Sequence, residues 1–579
     1  MVSRIGGIET REWQRQFLFI PMCLLFVGTL LLLIPGSLWG MSYRLFSNLD
    51  APSIQLVAAL YLFWRIRKSD LPAWFDLSFD HEPIWHTRFS IYVFSITLGF
   101  GVLGTYLVYL NFPLSMDEYM TVFQAKILQQ GHISAAVPEK FANSLQSLQP
   151  IFTQRLEGIG VWASFYRPGM AFFYAFFGSF SSPLFTAGSA VVLLAVIQQV
   201  WPSDHEAKWI GMILFLGSSQ VWLNSFTTYA MPAHVFFNSL WLYLFLRDDR
   251  LGHSLAPWIG VMACSLHQIH VHPLFAAPYI LGLIRPFRPK LILYYGSVYL
   301  AGLVVLWFWP AIIAYTNNAD VSEMTGTNSS YLAAILMLME RFRWTSLASV
   351  TLNVERFIVW QHLLLWPLVF WACRRTFRDR HVQNMLIATG LTLTLHVVFM
   401  PDQGHGWGYR YLHALIPLYI LAGIVGWKAI PPTAYQASRR LLGAATLVSV
   451  LIFLPWRAIS AHNMVAPYVE AMDHLQALDT DIVLLETTGN FYAQDLVRND
   501  PYLRNRPLIY AFVHTPSSKA AELCQENHVT FIGEDTLTPI GIRTHGRSKA
   551  TKARNAKHLR EWKAACRNVD FGSAELETG

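Results

Sequence analysis

The chain has 579 residues, of which 54% are hydrophobic, 15% aromatic and only 14% charged, and its mean hydropathy is +0.34. A soluble chain carries roughly 25% charged residues, so composition argues against a soluble enzyme, a disordered regulator or a secreted disulfide scaffold and leaves a multi-pass α-helical membrane protein. The net charge of +7, from 43 Lys and Arg against 36 Asp and Glu, is not evidence for nucleic acid, because Lys and Arg of membrane proteins collect in short cytoplasmic loops.

In chain order, stretches apolar enough to cross a bilayer fall at 17–38, 51–66, 89–110, 184–201, 209–226, 230–246, 255–271, 273–285, 291–312, 358–373, 383–400, 411–429 and 440–457. That predicts about 11–13 spans. The first has no small-residue cleavage site and reads as an anchor rather than a signal peptide. With the N-terminus cytoplasmic, Arg65, Arg67, Lys68, Arg247, Arg250, Arg285, Arg288, Lys290, Arg374, Arg375, Arg378, Arg380, Arg439 and Arg440 all fall in inside loops. The expectation is an integral protein of a bacterial inner or plasma membrane, with its C-terminal domain outside. Two long segments, 111–183 and 313–357, are then also external. So is the tail 458–579, whose apolar runs Ile482 to Leu485, Leu508 to Val513 and Val529 to Gly533 alternate with helical stretches, as in a small α/β domain. The division is 1–88 as extra N-terminal spans, 89–457 as the core, and 458–579 as an extracytoplasmic α/β domain with a basic tail.

Within that tail, residues 543–567 hold nine Lys or Arg against one Glu. They read as a solvated helix, with docking onto anionic lipid headgroups as the alternative. Cys524 and Cys566 lie in the tail and are free to pair if it is external. The GxGxxG pattern at Gly99, Gly101 and Gly104 lies inside a span with no preceding strand. It therefore lacks the context of a dinucleotide fingerprint and reads as small residues that permit close helix packing.

Segment 111–132 is the most informative. Ser115 and Glu118 form a capping box that starts a helix, and Asp117 is a second carboxylate beside it. Met116, Tyr119, Met120, Phe123, Ile127 and Leu128 make one apolar stripe, which predicts a helix lying along the membrane interface. The same loop ends in Ser164-Phe-Tyr-Arg-Pro-Gly169. Farther on, Pro401-Asp-Gln-Gly-His-Gly-Trp-Gly-Tyr-Arg410 is a Gly-rich turn leading into a helix. Arg167 and Arg410 are arginines at the membrane edge on the side where the pattern expects few, and a guanidinium there is costly unless it pairs. Its planar fork suits phosphate.

These motifs resemble those of the GT-C superfamily of polyprenyl-phosphate-sugar glycosyltransferases, which includes protein O-mannosyltransferases and aminoarabinose transferases. Asp117-Glu118-Tyr119 matches the acidic motif that opens the first outer loop. Arg167-Pro168-Gly169 stands where a Lys- or His-Pro-Pro-Leu segment closes it, and Arg410-Tyr411-Leu412 with Pro417 matches the motif of a late helix. The resemblance covers 89–457 and implies transfer of a sugar from a polyprenyl-phosphate donor to a hydroxyl of a glycan, lipid or protein acceptor, with inversion at the anomeric carbon. It implies Asp117 as general base, Glu118 as the residue orienting Asp117 or the acceptor besides capping the helix, and Arg167 and Arg410 as lipid-phosphate ligands. Tyr166, His234, His270, His272 and Tyr411 are read as pocket lining.

No cofactor follows with certainty. A divalent metal is an option in this superfamily, but the second outer loop has His234 where many relatives have an acid. His267 and His270 would share a helix face, though polar lining is the preferred reading over metal ligation. The alternative function is a transporter or flippase of a polar or lipid-linked solute, which inverted repeats and paired broken helices would favour; the sequence shows neither.

Overall fold

The computed structural model describes residues 40–67, 71–77, 87–325, 344–400, 403–488, 493–542 and 549–566, with isolated positions between 23 and 30. The stretch predicted as the first span, 17–38, lies almost wholly outside them. The described chain is a helical, multi-pass membrane protein with two small sheets. Helices Arg88–Leu107, Gly169–Val200, Pro289–Trp307, Arg380–Phe399 and Pro432–Ala477 are long and apolar enough to cross a bilayer alone. Ser346–Trp360 and Leu365–Arg375 meet at 108° and make a sixth span if taken together. Met231–Leu246, Val271–Gly282 and Ile416–Lys428 are apolar but shorter. The predicted 209–226 span is two helices, because Ser218 caps a new helix, Ser219–Ser225, just after Gly217 ends His205–Leu216.

Lipid contact explains the outer faces. Ile96 is 70% exposed, Leu107 67% and Leu293 72%; such apolar stripes are stable only against hydrocarbon or another protein. Inside the bundle the same side-chain types interlock around Trp241, Trp371, Leu418 and Ile424, all buried. Helix approach depends on two of the three glycines of the false dinucleotide pattern, Gly101 and Gly104. A Cβ on Gly104 would stand 2.1 Å from the Phe226 ring, whereas one on Gly99 would meet nothing within 4 Å. Gly104→Leu is therefore expected to cost about 1–3 kcal/mol through overpacking and Gly99→Leu almost nothing; thermal unfolding of the two variants in detergent compares them.

Part of 313–357, expected to be external, belongs to the bundle. Helix Trp344–Trp360 begins well before the predicted start at 358, because Asn353, Glu355 and Arg356 lower its hydropathy while being buried. Arg356 pairs with Asp50 at 2.7 Å, and neither side chain has measurable exposure. The N-terminal segment is thereby tied into the core.

Helix Pro432–Ala477 spans 46 residues, roughly 70 Å at the helical rise and far more than the hydrocarbon thickness. Its last turns leave the bundle: Val465, Tyr468, Ala471, Met472 and Leu475 pack on Val483, Leu485 and Ile509. There β4 (Ile482–Leu485) lies between β5 (Leu508–Ala511) and β6 (Val529–Ile532) in a parallel sheet. All of β4 is buried, as the continuous apolar run Ile-Val-Leu-Leu requires of a central parallel strand.

Cys524 and Cys566 form a disulfide with a Cα–Cα distance of 5.7 Å. It fastens helix Lys549–Ala565, whose Trp562 is fully buried. The described part of the basic run is thus a docked helix with its cations on the outer side, while 543–548 and 567 lie outside the described residues.

The apolar stripe of helix Met116–Gln129 has a different partner from the one expected. Met116, Met120, Phe123 and Ile127 are buried against Leu145, Trp162, Ile482, Leu484 and Leu508, so the stripe packs on protein, including the C-terminal sheet, rather than on lipid. Beside it β3 (Val161–Ser164) pairs antiparallel with β1 (Ala135–Ala136) and β2 (Thr153–Leu156).

Candidate active site

The capping box predicted from Ser115 and Glu118 forms as expected. The Ser115 hydroxyl accepts from the Glu118 N–H, and the Glu118 carboxylate accepts from the Ser115 N–H at 3.1 Å. Its other oxygen accepts from the Thr228 N–H at 3.2 Å, and Glu118 is fully buried. Burial raises its carboxyl to about 7 against the pull of those two N–H donors and of Arg498 and Arg410. Glu118 therefore pins the helix N-terminus to the Thr228 turn and faces away from open space. Helical rotation carries its neighbour Asp117 around to another face.

Asp117 lines a cavity of about 310 Å³ together with Tyr166, Met231, His267, Gln403, His405, Arg410, Tyr411 and Asp495. Arg410 donates to one Asp117 oxygen at 3.0 Å, and the Tyr166 hydroxyl donates to the other. Burial raises the Asp117 carboxyl, but the nearby charges of Arg410 and His267 and these two hydrogen bonds outweigh it, so it stays below the usual carboxylate range. The general base expected from sequence is thus a carboxylate engaged on both oxygens.

The Gly-rich turn sets Arg410 in place. Gln403 accepts from the Arg410 N–H at 2.7 Å, and the guanidinium lies 4.4 Å from the centre of the Tyr229 ring. Gly406 has φ of +153°, and a Cβ there would come within 2.6 Å of the Arg410 side chain, so the turn folds closely over it. Pro401 and Asp402 lie outside the described residues.

The other sequence candidates separate into two groups. Tyr166 and Tyr411 line the cavity, with the Tyr166 ring centred 3.9 Å from that of His267 at a tilt of 30° and Tyr411 stacked on His396 at 4.0 Å. Arg167 does not line it and donates to the Phe165 carbonyl at 3.4 Å. His234, His270 and His272 are also absent from its wall. His272 bonds Asn238 and Tyr299, each at 2.8 Å. The helix face proposed for His267 and His270 does not exist, since one helix ends at Ser265 and the next begins at Val271. Among the described residues no three His, Cys, Asp or Glu side chains group closely enough to hold a metal.

No sequence motif marks Asp495, which also lines the cavity. It sits on a short helix, Ala493–Leu496, of the C-terminal domain and accepts from the Met116 N–H at 2.7 Å. Three residues on, Arg498 donates to the Leu114 carbonyl at 2.8 Å and covers the Phe112 ring at 4.2 Å. Acid and base together dock the C-terminal domain on the start of helix Met116–Gln129, through bonds that bridge 379 and 384 residues of sequence and carry no motif. Tyr229 likewise meets Arg410 only through the fold, whereas Gln403 and His405 lie in the Gly-rich turn itself and their side chains face the cavity.

No protein-family model matches the chain, and no curated protein is detectably similar to it in sequence. Solved structures align with it in fold. The chain is similar to ArnT. ArnT from Cupriavidus metallidurans bound to undecaprenyl phosphate aligns over 73% of this chain and 86% of its own, at 13% identity and a TM-score of 0.46. The apo form of ArnT aligns over the same shares at 12% identity and a TM-score of 0.43.

Proposed function

We propose that this protein is an integral-membrane glycosyltransferase that moves a sugar from a polyprenyl-phosphate donor to an acceptor hydroxyl on the extracytoplasmic side, inverting the anomeric carbon. The observation that carries the reading is the ion pair between Asp117 and Arg410. The two lie 293 positions apart in sequence, each in a motif of the resemblance, yet they meet at 3.0 Å in the wall of one cavity. A cavity holding a fixed arginine, two carboxylates and aromatic rings suits a sugar phosphate, and the lipid tail would extend along the apolar bundle. The side of the membrane is supported by the basic inside loops and by the disulfide of the C-terminal domain, since such bonds persist in oxidising compartments.

In this reading Arg410 meets the charge that grows on the departing phosphate, and Asp117 holds Arg410 in place while its negative charge faces the electron-poor anomeric carbon. The acceptor loses its proton to a carboxylate of the same cavity. Glu118 fixes the helix that carries Asp117, and Arg167, outside the cavity, serves the lipid phosphate only as it approaches.

The test is transfer from tritium-labelled polyprenyl-phosphate hexose, pentose and aminosugar by purified protein, with native membrane vesicles as acceptor source. Asp117→Asn is expected to lower transfer at least about 100-fold. Equal transfer by the mutant at equal expression would remove Asp117 from the reaction, and no transfer from any donor by the wild type would end the reading.

A further inference from the structure

The cavity has two carboxylates, and only one of them has an oxygen without a donor. Asp117 receives Tyr166 on one oxygen and Arg410 on the other. Asp495 receives the Met116 N–H on one oxygen, and among the described residues its second oxygen accepts no hydrogen bond. Asp495 also comes from a different part of the chain, the C-terminal domain.

We infer that Asp495 is the group that takes the acceptor's proton, so that the C-terminal domain completes the active site rather than only shaping access to it. This rests on the glycosyl-transfer reading above and goes beyond it. In the step, the acceptor hydroxyl oxygen forms a bond to the anomeric carbon as the bond from that carbon to the phosphate oxygen breaks. The bonding pair leaves on the phosphate beside Arg410, and the hydroxyl proton passes to the free oxygen of Asp495.

Two further features favour this division. The electrostatics suit a base, because burial raises the Asp495 carboxyl to about 7 against Arg498 and the Met116 N–H, and the charges of Asp117 and Glu118 push it the same way. Proton acceptors work best near the operating pH, whereas Asp117 is held well below it. The other charged or titratable groups around the cavity are Arg410, His267, His405, Tyr166 and Tyr411; burial holds His267 at about 4 and His405 at about 3, so neither changes charge near neutrality. The second feature is position. The bond from Met116 N–H to Asp495 fixes that carboxylate at the N-terminus of the helix whose next residue is Asp117.

The experiment uses the full-length protein and the labelled donors above. Asp495→Asn keeps a carbonyl oxygen to accept from Met116, so the docking survives while the base is lost. It is expected to lower kcat about 100-fold or more with the donor KM within about 2-fold. Wild-type kcat should rise about tenfold per pH unit below about 7 and level off above. That limb should vanish in Asp495→Asn and persist in Glu118→Gln, which removes the other carboxyl held near neutrality. Asp495→Glu, which restores a carboxylate, should recover part of kcat and the limb. A kcat for Asp495→Asn within about 3-fold of wild type, or a wild-type profile flat from about pH 5.5 to 8.5, overturns the inference while leaving glycosyl transfer standing. If Asp495→Asn does not fold, the wild-type profile and Asp495→Glu still decide. Absence of transfer by the wild type from every donor overturns inference and parent reading together.

Discussion

Arg410→Ala is expected to abolish sugar transfer, by about 10³-fold or more, and Arg410→Lys to leave no more than about 1% of it. The arginine is 4% exposed, stacks over Tyr229 and reaches Asp117 with one nitrogen. A lysine keeps the charge but not the planar fork, so it cannot hold Asp117 and a phosphate oxygen at once in fixed geometry. Removing the cation has a second consequence. The Asp117 carboxyl is kept low by Arg410 and His267 against burial, which is the largest influence and acts upward. Without Arg410 the upward push has less to oppose it, the folded-state value rises, and the carboxylate is lost as pH falls through that higher value. On top of the acid limb that Asp495 imposes on both proteins, the residual activity of Arg410→Ala should therefore steepen at a higher pH than that of the wild type. Single-turnover transfer measured across pH for wild type, Arg410→Ala and Arg410→Lys separates the two effects. Transfer by Arg410→Lys at the wild-type rate would show that charge alone suffices and that the fork has no part.

Hydropathy and residue spacing made the membrane bundle, the small C-terminal α/β sheet, the capping box and the Asp117 and Arg410 motifs legible, because each is written locally in the chain. Strands Ile482–Leu485, Leu508–Ala511 and Val529–Ile532 fall on apolar runs visible by eye. What escaped was set by contacts between distant segments. The stripe on helix Met116–Gln129 is the same whether it meets lipid or a sheet 360 residues later, and only the fold shows that it meets the sheet. The start of helix Trp344–Trp360 was obscured by buried polar residues that a hydropathy window scores as exposed. Asp495 shares a segment with no recognisable pattern, and its place in the cavity follows from how the C-terminal domain docks. The role of Glu118 was half visible: its cap was legible in sequence, but its bond to Thr228, which turns it from the cavity, was not.

The buried pair of Asp50 and Arg356 carries the largest expected effect on stability. Asp50 accepts from Arg356 at 2.7 Å and also from the Trp360 indole, and a second Arg356 nitrogen donates to the Gly406 carbonyl at 2.8 Å. The N-terminal segment thus reaches, through one arginine, the turn that folds over Arg410. Replacing a single partner of a buried pair strands the other charge, at about 3–5 kcal/mol. Asp50→Ala is expected to cost that much, with the folded fraction remaining after heating in detergent as the readout. Because the stranded arginine also holds Gly406, transfer by Asp50→Ala should fall even below the temperature at which it unfolds. The double variant Asp50→Leu/Arg356→Met removes both charges, so it should regain most of the stability but not the transfer, since the bond to Gly406 is gone. If the double variant regained both, the pair would be an element of stability alone. If Asp50→Ala were as stable as wild type, the Arg356 charge would have to be neutralised by another group. The first pattern, stability restored and transfer not, is the one that the bond to Gly406 requires.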